Sequence, residues 1–458
     1  MPHTARTAVR FDTATPAVVL KFDPNVLHHG GLGVIRGLAR VGIPVHCVCE
    51  APFAPAAHSR HLRGRWLWRV PTGDVERTVV GLHQLADRVG RRAVLLPTDD
   101  AAAIFLAEHA DRLRQRYLFP DPPPHLPRRV AAKSSLHELC QQWSVPCPRT
   151  VLARDWGHAR RFADDVGYPV VCKLAEPWKA RPGAGIPSSS ILRSREQLRE
   201  RHEACRQRGI GLLLQEFVPA EAGGDWFFHG YCDASSRCYP ACTGVKERSY
   251  PPDAGLTSAG RSADNPELRR QATGLLARIG FRGIVDLDYR KDRRDGQYKL
   301  LDFNPRLGAQ FRLFGDDAGG DVALAAYLDL TGQAAATGAG PVAVPGRRFV
   351  VENYDPIAAL RGWRRGELGA GSWLRSLRGV DETAWFSRDD PVPFVLMCFW
   401  MLWRLLSRLP GPTSRRRFGP FPRRQTPPPD SARIDGRSLP ASARDHRYEH
   451  LSPEEDRA

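Results

Sequence analysis

Lysine is scarce in this 458-residue chain: only seven of its 67 basic residues are Lys, namely Lys21, Lys133, Lys173, Lys179, Lys246, Lys291 and Lys299. A chain that uses Arg wherever a surface cation will do makes each remaining Lys a candidate for a place that needs a compact ammonium. The ten cysteines form no CxxC pair. Their nearest approach to a cluster, Cys232, Cys238 and Cys242, fits no common zinc spacing, which argues against a thiolate metal centre. Cys47 and Cys49 alternate within an apolar run, as buried strand residues do. No apolar leader opens the chain, so a reduced, cytoplasmic protein is expected. No Ser- or Cys-centred triad stands out, and no nucleophilic catalysis is expected. The apolar stretch "VPFVLMCFWMLWRLLSRL" (392–409) has twelve uncharged residues before Arg404, where roughly 20 are needed to cross a bilayer.

The length allows roughly two to four domains. Hydrophobic residues make up 42% of the chain, and strand-like runs alternate with helix-like ones, so the fold class is α/β. "AVVLKF" (17–22), the glycine-opened "HGGLGVIRGLARVG" (29–42) and "PVHCVCE" (44–50) read as a β-α-β unit. "AVLLPTDD" (93–100) is a further strand followed by a helix, and the Pro-rich "LFPDPPPHLP" (118–127) marks a boundary. A helix carrying "AAKSSLHELCQQW" (131–143), the strand "YPVVCKLA" (168–175), the loop "EPWKARPGAGIPSSS" (176–190), a helix to 209 and the strand "GLLLQEFVPA" (211–220) follow. After further strands and a helix over 265–280, residues 282–306 read as a hairpin closed by "KDRRDG". A helix lies near 319–331. "GQAAATGAGPVAVPG" is a linker by composition, and the Pro- and Arg-rich end of the chain is expected to be disordered.

The hairpin carries the sharpest signal. Asp288 lies on its first strand, two residues after Asp286, and Asp302 and Asn304 lie on its second. Side chains two apart on a strand share a face, so the acid and the amide project together, with Arg306 just beyond. Pairing across the turn brings Asp288 opposite the end of the second strand. Hard oxygen donors of this kind suit Mg²⁺ held against a nucleotide's phosphates, and the guanidinium suits a phosphate or carboxylate. A solvent-facing hairpin is the alternative, weakened by the surrounding Ile284, Val285, Leu287, Leu300, Leu301 and Phe303. Lys173 ends a run of apolar residues where an unpaired ammonium is costly. The loop after it, with Gly183 and Gly185, has the composition to present amide donors to phosphates.

This order of elements, "AAKSSLHEL", "PVVCKLA", "PGAGIPSSS", "LLLQEFVP", "GIVDLDYR" and "LLDFNPRLG", resembles the ATP-grasp superfamily of carboxylate–amine ligases over roughly residues 17–330. The resemblance implies ATP and Mg²⁺ (or Mn²⁺) as cofactors. It also implies a Rossmann-like N-terminal domain (1–125), a first ATP-grasp lobe (126–210) and a second lobe with the metal site (211–332). A C-terminal extension (333–390), an apolar helix (391–410) and a disordered tail (411–458) complete the division. By the resemblance Lys133 and Lys173 are phosphate- and adenine-side lysines, and Gly183 and Gly185 belong to the phosphate loop. Gln215, Glu216, Phe217 and Val218 form the adenine hinge, with Asp225 a ribose- or phosphate-side contact. Asp288, Asp302 and Asn304 are metal ligands, and Arg306 contacts the transferred phosphate. "GVKERSYPPDAG" (244–255) resembles a strand of the D-aspartate ligase-like branch, which makes Lys246 and Arg248, two apart on one face, a cationic substrate site. Many relatives have Glu where this chain has Asp288 and Asp302, so a nucleotide-binding pseudoenzyme stands as the alternative to a ligase. Small-molecule carboxylate and amine substrates, amino acids among them, are implied, and dimers are common among relatives.

Gly31, Gly33 and Gly37 with Glu50 mimic a dinucleotide fingerprint, but "FDPNVLHH" separates the first strand from the glycines by more than that fingerprint's tight turn allows. The +17 charge admits nucleic acid as a partner. Yet Arg is spread over every segment without interleaved aromatics, so none is expected. Residues 392–417, with Trp400, Trp403, Arg404 and Arg408, read either as an interfacial helix at an anionic membrane or as a helix packed on the core.

Overall fold

A computed structural model describes residues 11–174, 189–221, 223–251, 255–315, 321–333 and 345–407. The N-terminal unit comprises β1 (Ala17–Leu20), α1 (Gly30–Arg40), β2 (Val45–Cys49), β3 (Leu62–Leu67), α2 (Val75–Val89), β4 (Ala93–Pro97), α3 (Asp100–Glu108), α4 (Ala110–Leu113) and β5 (Tyr117–Leu118). Its strands pair in parallel in the order β3-β2-β1-β4-β5. β1 is apolar and buried on both faces, as a central parallel strand must be. Asp99 closes the end of β4: its side chain caps α3 at Ala102 N (3.0 Å) and accepts from Phe22 N (2.6 Å) beyond β1. The glycines of α1 serve packing. A Cβ at Gly33 would meet the Phe311 ring at 2.9 Å, so the helix can lie against the segment that follows Arg306 only without side chains there.

A second unit follows: α5 (Leu126–Ala131), α6 (Lys133–Gln142), β6 (Thr150–Ala153), α7 (Trp156–Val166), β7 (Val170–Leu174), β8 (Ser189–Leu192), α8 (Arg195–Arg206) and β9 (Leu212–Glu216). Its antiparallel sheet runs β6-β9-β7-β8. β9 is hydrogen-bonded inside this sheet, so residues 212–216 pair with strands of the segment expected to end at 210. Cys172 and Leu174 join the core formed with α7 and α8, so the pleat turns the intervening Lys173 to the opposite face.

The third unit holds β10 (Asp225–Cys232), β11 (Cys238–Tyr250), β12 (Leu256–Ser262), α9 (Pro266–Arg278), β13 (Gly283–Lys291), β14 (Tyr298–Asn304), α10 (Val322–Leu330), β15 (Arg348–Val350), α11 (Asp355–Arg364), α12 (Ala370–Ser376), β16 (Glu382–Thr383) and α13 (Val392–Leu406). Its seven strands run β14-β13-β10-β11-β12-β15-β16. Val285, Leu287, Tyr289, Leu300 and Phe303 pack with α5, α6 and α9, which leaves Asp286, Asp288, Asp302 and Asn304 on the other face. α10 is buried against the N-terminal sheet.

Part of the segment expected as a C-terminal extension (333–390) belongs to the large sheet. β15 and β16 lengthen the large sheet, and fully buried Arg36 of α1 pairs with Asp390 at 2.9 Å. α13 packs one face on the protein through Pro393 and Met397. No helix among the described residues is long and apolar enough to cross a membrane. The expected disordered tail (411–458) lies outside the described residues.

Candidate active site

β13 and β14 pair so that Asp288 stands opposite Asp302 and Asp286 opposite Asn304. The next register step joins Tyr289 to Leu300, so Leu301 is left without a ladder partner. Its carbonyl is taken instead by Lys173 Nζ at 3.1 Å, reaching across from β7. Lys173 also lies 3.9 Å from Asp302, and Lys133 at the start of α6 contacts the same carboxylate. Lys246 on β11 contacts Asp288 at 2.8 Å. Three of the seven lysines therefore converge on two facing aspartates.

Burial raises the Asp302 carboxyl, but Lys133 and Lys173 outweigh it and hold the group down to about 2. Burial pushes Asp288 up, opposed by Lys246. It also pushes the Lys173 ammonium down, with Asp302 resisting. For Lys246 the attraction of Asp288 outweighs burial, and the ammonium titrates higher than usual.

Deeper in the cleft, Arg306 donates to Asp286 (2.9 Å) and lies 3.4 Å from Asp100 at the start of α3. His229 of β10 approaches Asp286 at 3.3 Å; burial drives its imidazole toward the neutral form. The approach is close because residue 308 is glycine: a Cβ there would sit 2.1 Å from His229 and 2.7 Å from Asp286. Asn304 donates Nδ2 to the Asp286 carbonyl (3.1 Å), which fixes the amide and leaves its oxygen as acceptor.

This donor set fits a divalent ion of one kind. Among the described residues no three His, Cys, Asp or Glu side chains form a metal cage. Two carboxylates and an amide oxygen amid ammonium groups suit Mg²⁺, which is commonly held by one or two carboxylates and completed by phosphate oxygens.

Elsewhere the expected residues divide. At the hinge, Gln215 is buried and donates to Thr150 Oγ1 (3.1 Å), while Glu216 pairs with Arg294 at 2.6 Å. Phe217 lies under the Arg290 guanidinium, and the carbonyl of buried Val218 accepts from the same Arg. Asp225 accepts from Arg290 with both oxygens (2.6 and 3.0 Å), which braces β10 against β13.

Arg248 does not share a face with Lys246. The register of β11 on β12 shifts between them, which breaks the alternation. Arg248 turns to buried Asp355, bonding it at 2.7 and 3.1 Å. Gly183 and Gly185 lie outside the described residues. Asp100 and His229 were not singled out from sequence. The acids closing "AVLLPTDD" offered a signal for Asp100, whereas a lone His in an apolar strand offers none for His229.

No protein-family model matches the chain. A D-aspartate ligase of Enterococcus faecium is 24% identical over 230 residues, 48% of this chain and 54% of that protein, so the chain spans about half the length of this relative. The ADP complex of N5-carboxyaminoimidazole ribonucleotide synthetase superposes with a TM-score of 0.54 at 11% identity, covering 75% of this chain and 82% of its own. Carboxyaminoimidazole ribonucleotide synthase from Aspergillus clavatus, complexed with ATP, gives 0.50 at 16% identity over 69% and 77%. At such identities the structural likenesses speak for the fold alone, and that fold is the ATP-grasp fold expected from the element order.

Proposed function

We propose that this protein is an ATP- and Mg²⁺-dependent ligase that joins a carboxylate to an amine. The observation that carries the reading is the convergence of Lys133, Lys173 and Lys246 from three different elements on Asp288 and Asp302. In a chain so poor in lysine, a cleft holding this many ammonium groups beside paired acids suits a polyanion with its metal.

In this reading Asp288, Asp302 and Asn304 hold Mg²⁺, which when bound neutralises the phosphate charge. Lys133 and Lys173 steady the phosphates, and the hinge from Gln215 to Val218 takes the base. Lys246 and Arg306 position the transferred phosphoryl group and the carboxylate. The substrate carboxylate attacks the γ-phosphate, giving an acyl-phosphate and ADP, and the amine then displaces phosphate. Such transfer needs positioning and charge neutralisation rather than a protein nucleophile. The Enterococcus relative's name, D-aspartate ligase, supports amino acids as the substrate class.

The test is ADP and phosphate release from the purified full chain with ATP, Mg²⁺ and paired amino acids. Release that requires both a carboxylate and an amine, and stops in Asp302→Asn, is the expected result. One observation favours a second reading, a nucleotide-binding pseudoenzyme: both leading metal positions carry the shorter Asp, and each is neutralised by lysine. Tight nucleotide binding with no release for any pair would select it.

A further inference from the structure

α13 has two apolar faces, and the protein covers one of them. Pro393, Met397, Trp400 and Met401 face inward, and Trp400 Nε1 donates to the Phe53 carbonyl at 2.8 Å, fastening the helix. Val392, Val395, Phe399, Leu402 and Leu406, spaced three and four apart, form a stripe along the other side. Val395, Phe399 and Leu402 are 61%, 57% and 54% exposed. Trp403 and Leu405 widen the stripe. Exposed single hydrophobes are ordinary, but a contiguous strip of this kind marks a contact surface.

The charge of the sequence that carries the strip points to the partner. From Pro391 to Pro429 the sequence has no Asp or Glu and seven Arg: Arg404, Arg408, Arg415, Arg416, Arg417, Arg423 and Arg424. Arg404 turns inward to Asn25 Oδ1 at 3.3 Å, so the charge available to a partner follows the helix. A second copy seated on the same strip would add like charge to like. An anionic lipid surface satisfies both features, since apolar side chains enter the acyl boundary while arginines meet headgroups. We propose that the bare face of α13 docks this protein on anionic membrane without crossing it. The inference is independent of the catalytic reading.

The test is flotation of the full-length protein with phosphatidylcholine vesicles, with and without phosphatidylserine. Recovery at least about tenfold higher with phosphatidylserine, falling as salt is raised, is expected. Val395→Glu/Phe399→Glu should abolish it while leaving the melting temperature and ATP affinity unchanged. A second variant, Arg415→Gln/Arg416→Gln/Arg417→Gln, leaves the helix intact and should weaken it several-fold. Equal recovery from both vesicles, or flotation indifferent to both variants, would overturn the proposal. So would a dimer in light scattering that the helix variant dissolves in a protein that does not float.

Discussion

Asp288 and Asp302 face each other in register across β13 and β14, yet different lysines neutralise them: Lys246 the first, Lys133 and Lys173 the second. Lys173 also ties β7 to β14 by reaching the carbonyl of Leu301, which has no ladder partner. Lys173→Met therefore removes a bridge between the sheets as well as a charge that the proposed reading assigns to the phosphates. Phosphate release is expected to fall by about 10²–10³, the range found when one preorganised transition-state donor is lost, and the melting temperature to fall modestly, since the Leu301 carbonyl loses its partner. A steady-state assay beside differential scanning fluorimetry checks both halves.

Lys246 and Arg248 should part company under mutation. Lys246→Met is expected to lower turnover and leave stability nearly unchanged. Arg248→Met strands Asp355, whose remaining partners are Ser258 Oγ and Trp373 Nε1. Breaking a buried pair in this way costs about 3–5 kcal/mol, read as a lower urea midpoint. If Arg248→Met were instead stable and inactive, the shift in β11 register would be the wrong explanation for its orientation.

A single methyl at residue 308 should be disproportionately costly. Gly308→Ala drives its Cβ into His229 and Asp286, and overpacking of this kind typically costs about 1–3 kcal/mol. Because those side chains orient Arg306, activity should fall along with the melting temperature. Gly371→Ala meets nothing within 4 Å and serves as the neutral control.

Burial lifts the Asp321 carboxyl to about 7, against the backbone bonds it accepts from Leu324 and Ala323. In the unfolded chain it titrates near the ordinary value of about 3.9. Between those values the native state holds the extra proton, so this group makes stability fall as pH rises from about 4 to 7. Asp321→Asn can still cap α10 and cannot ionise. Its advantage over the native protein is expected to grow, by on the order of a few kcal/mol, between pH 5 and pH 8. Chemical denaturation at both pH values measures it, and a constant difference would contradict it.

Much of this was legible because local pattern and final structure agree. The β-α-β opening, the run to β4 and the hairpin of β13 and β14 follow from apolar periodicity and turn chemistry. Asp288 and Asp302 meet because alternation carried them to one face. What failed was whatever depends on pairing. The Leu301 bulge and the register shift after Lys246 arise between strands, so nothing in "KLLDF" or "VKERS" announces them. β15 and β16 span three and two residues, too short for any periodicity, which hid the continuity of the large sheet. Sequence patterning also assigned nothing between 51 and 92. There α2 has an Asp74 cap and a left-handed Gly90 stop that could have been read. Of the two readings of residues 392–409, packing on the core describes one face of α13, while the other face is exposed.

The most direct measurement is a titration of Mn²⁺, followed by paramagnetic resonance, in the presence of a non-hydrolysable ATP analogue. One ion per chain that binds only with the nucleotide, and that is lost in both Asp288→Asn and Asp302→Asn, is the predicted result. Stoichiometric binding that survives in either variant, or nucleotide binding indifferent to the ion, would contradict the site proposed between the two aspartates.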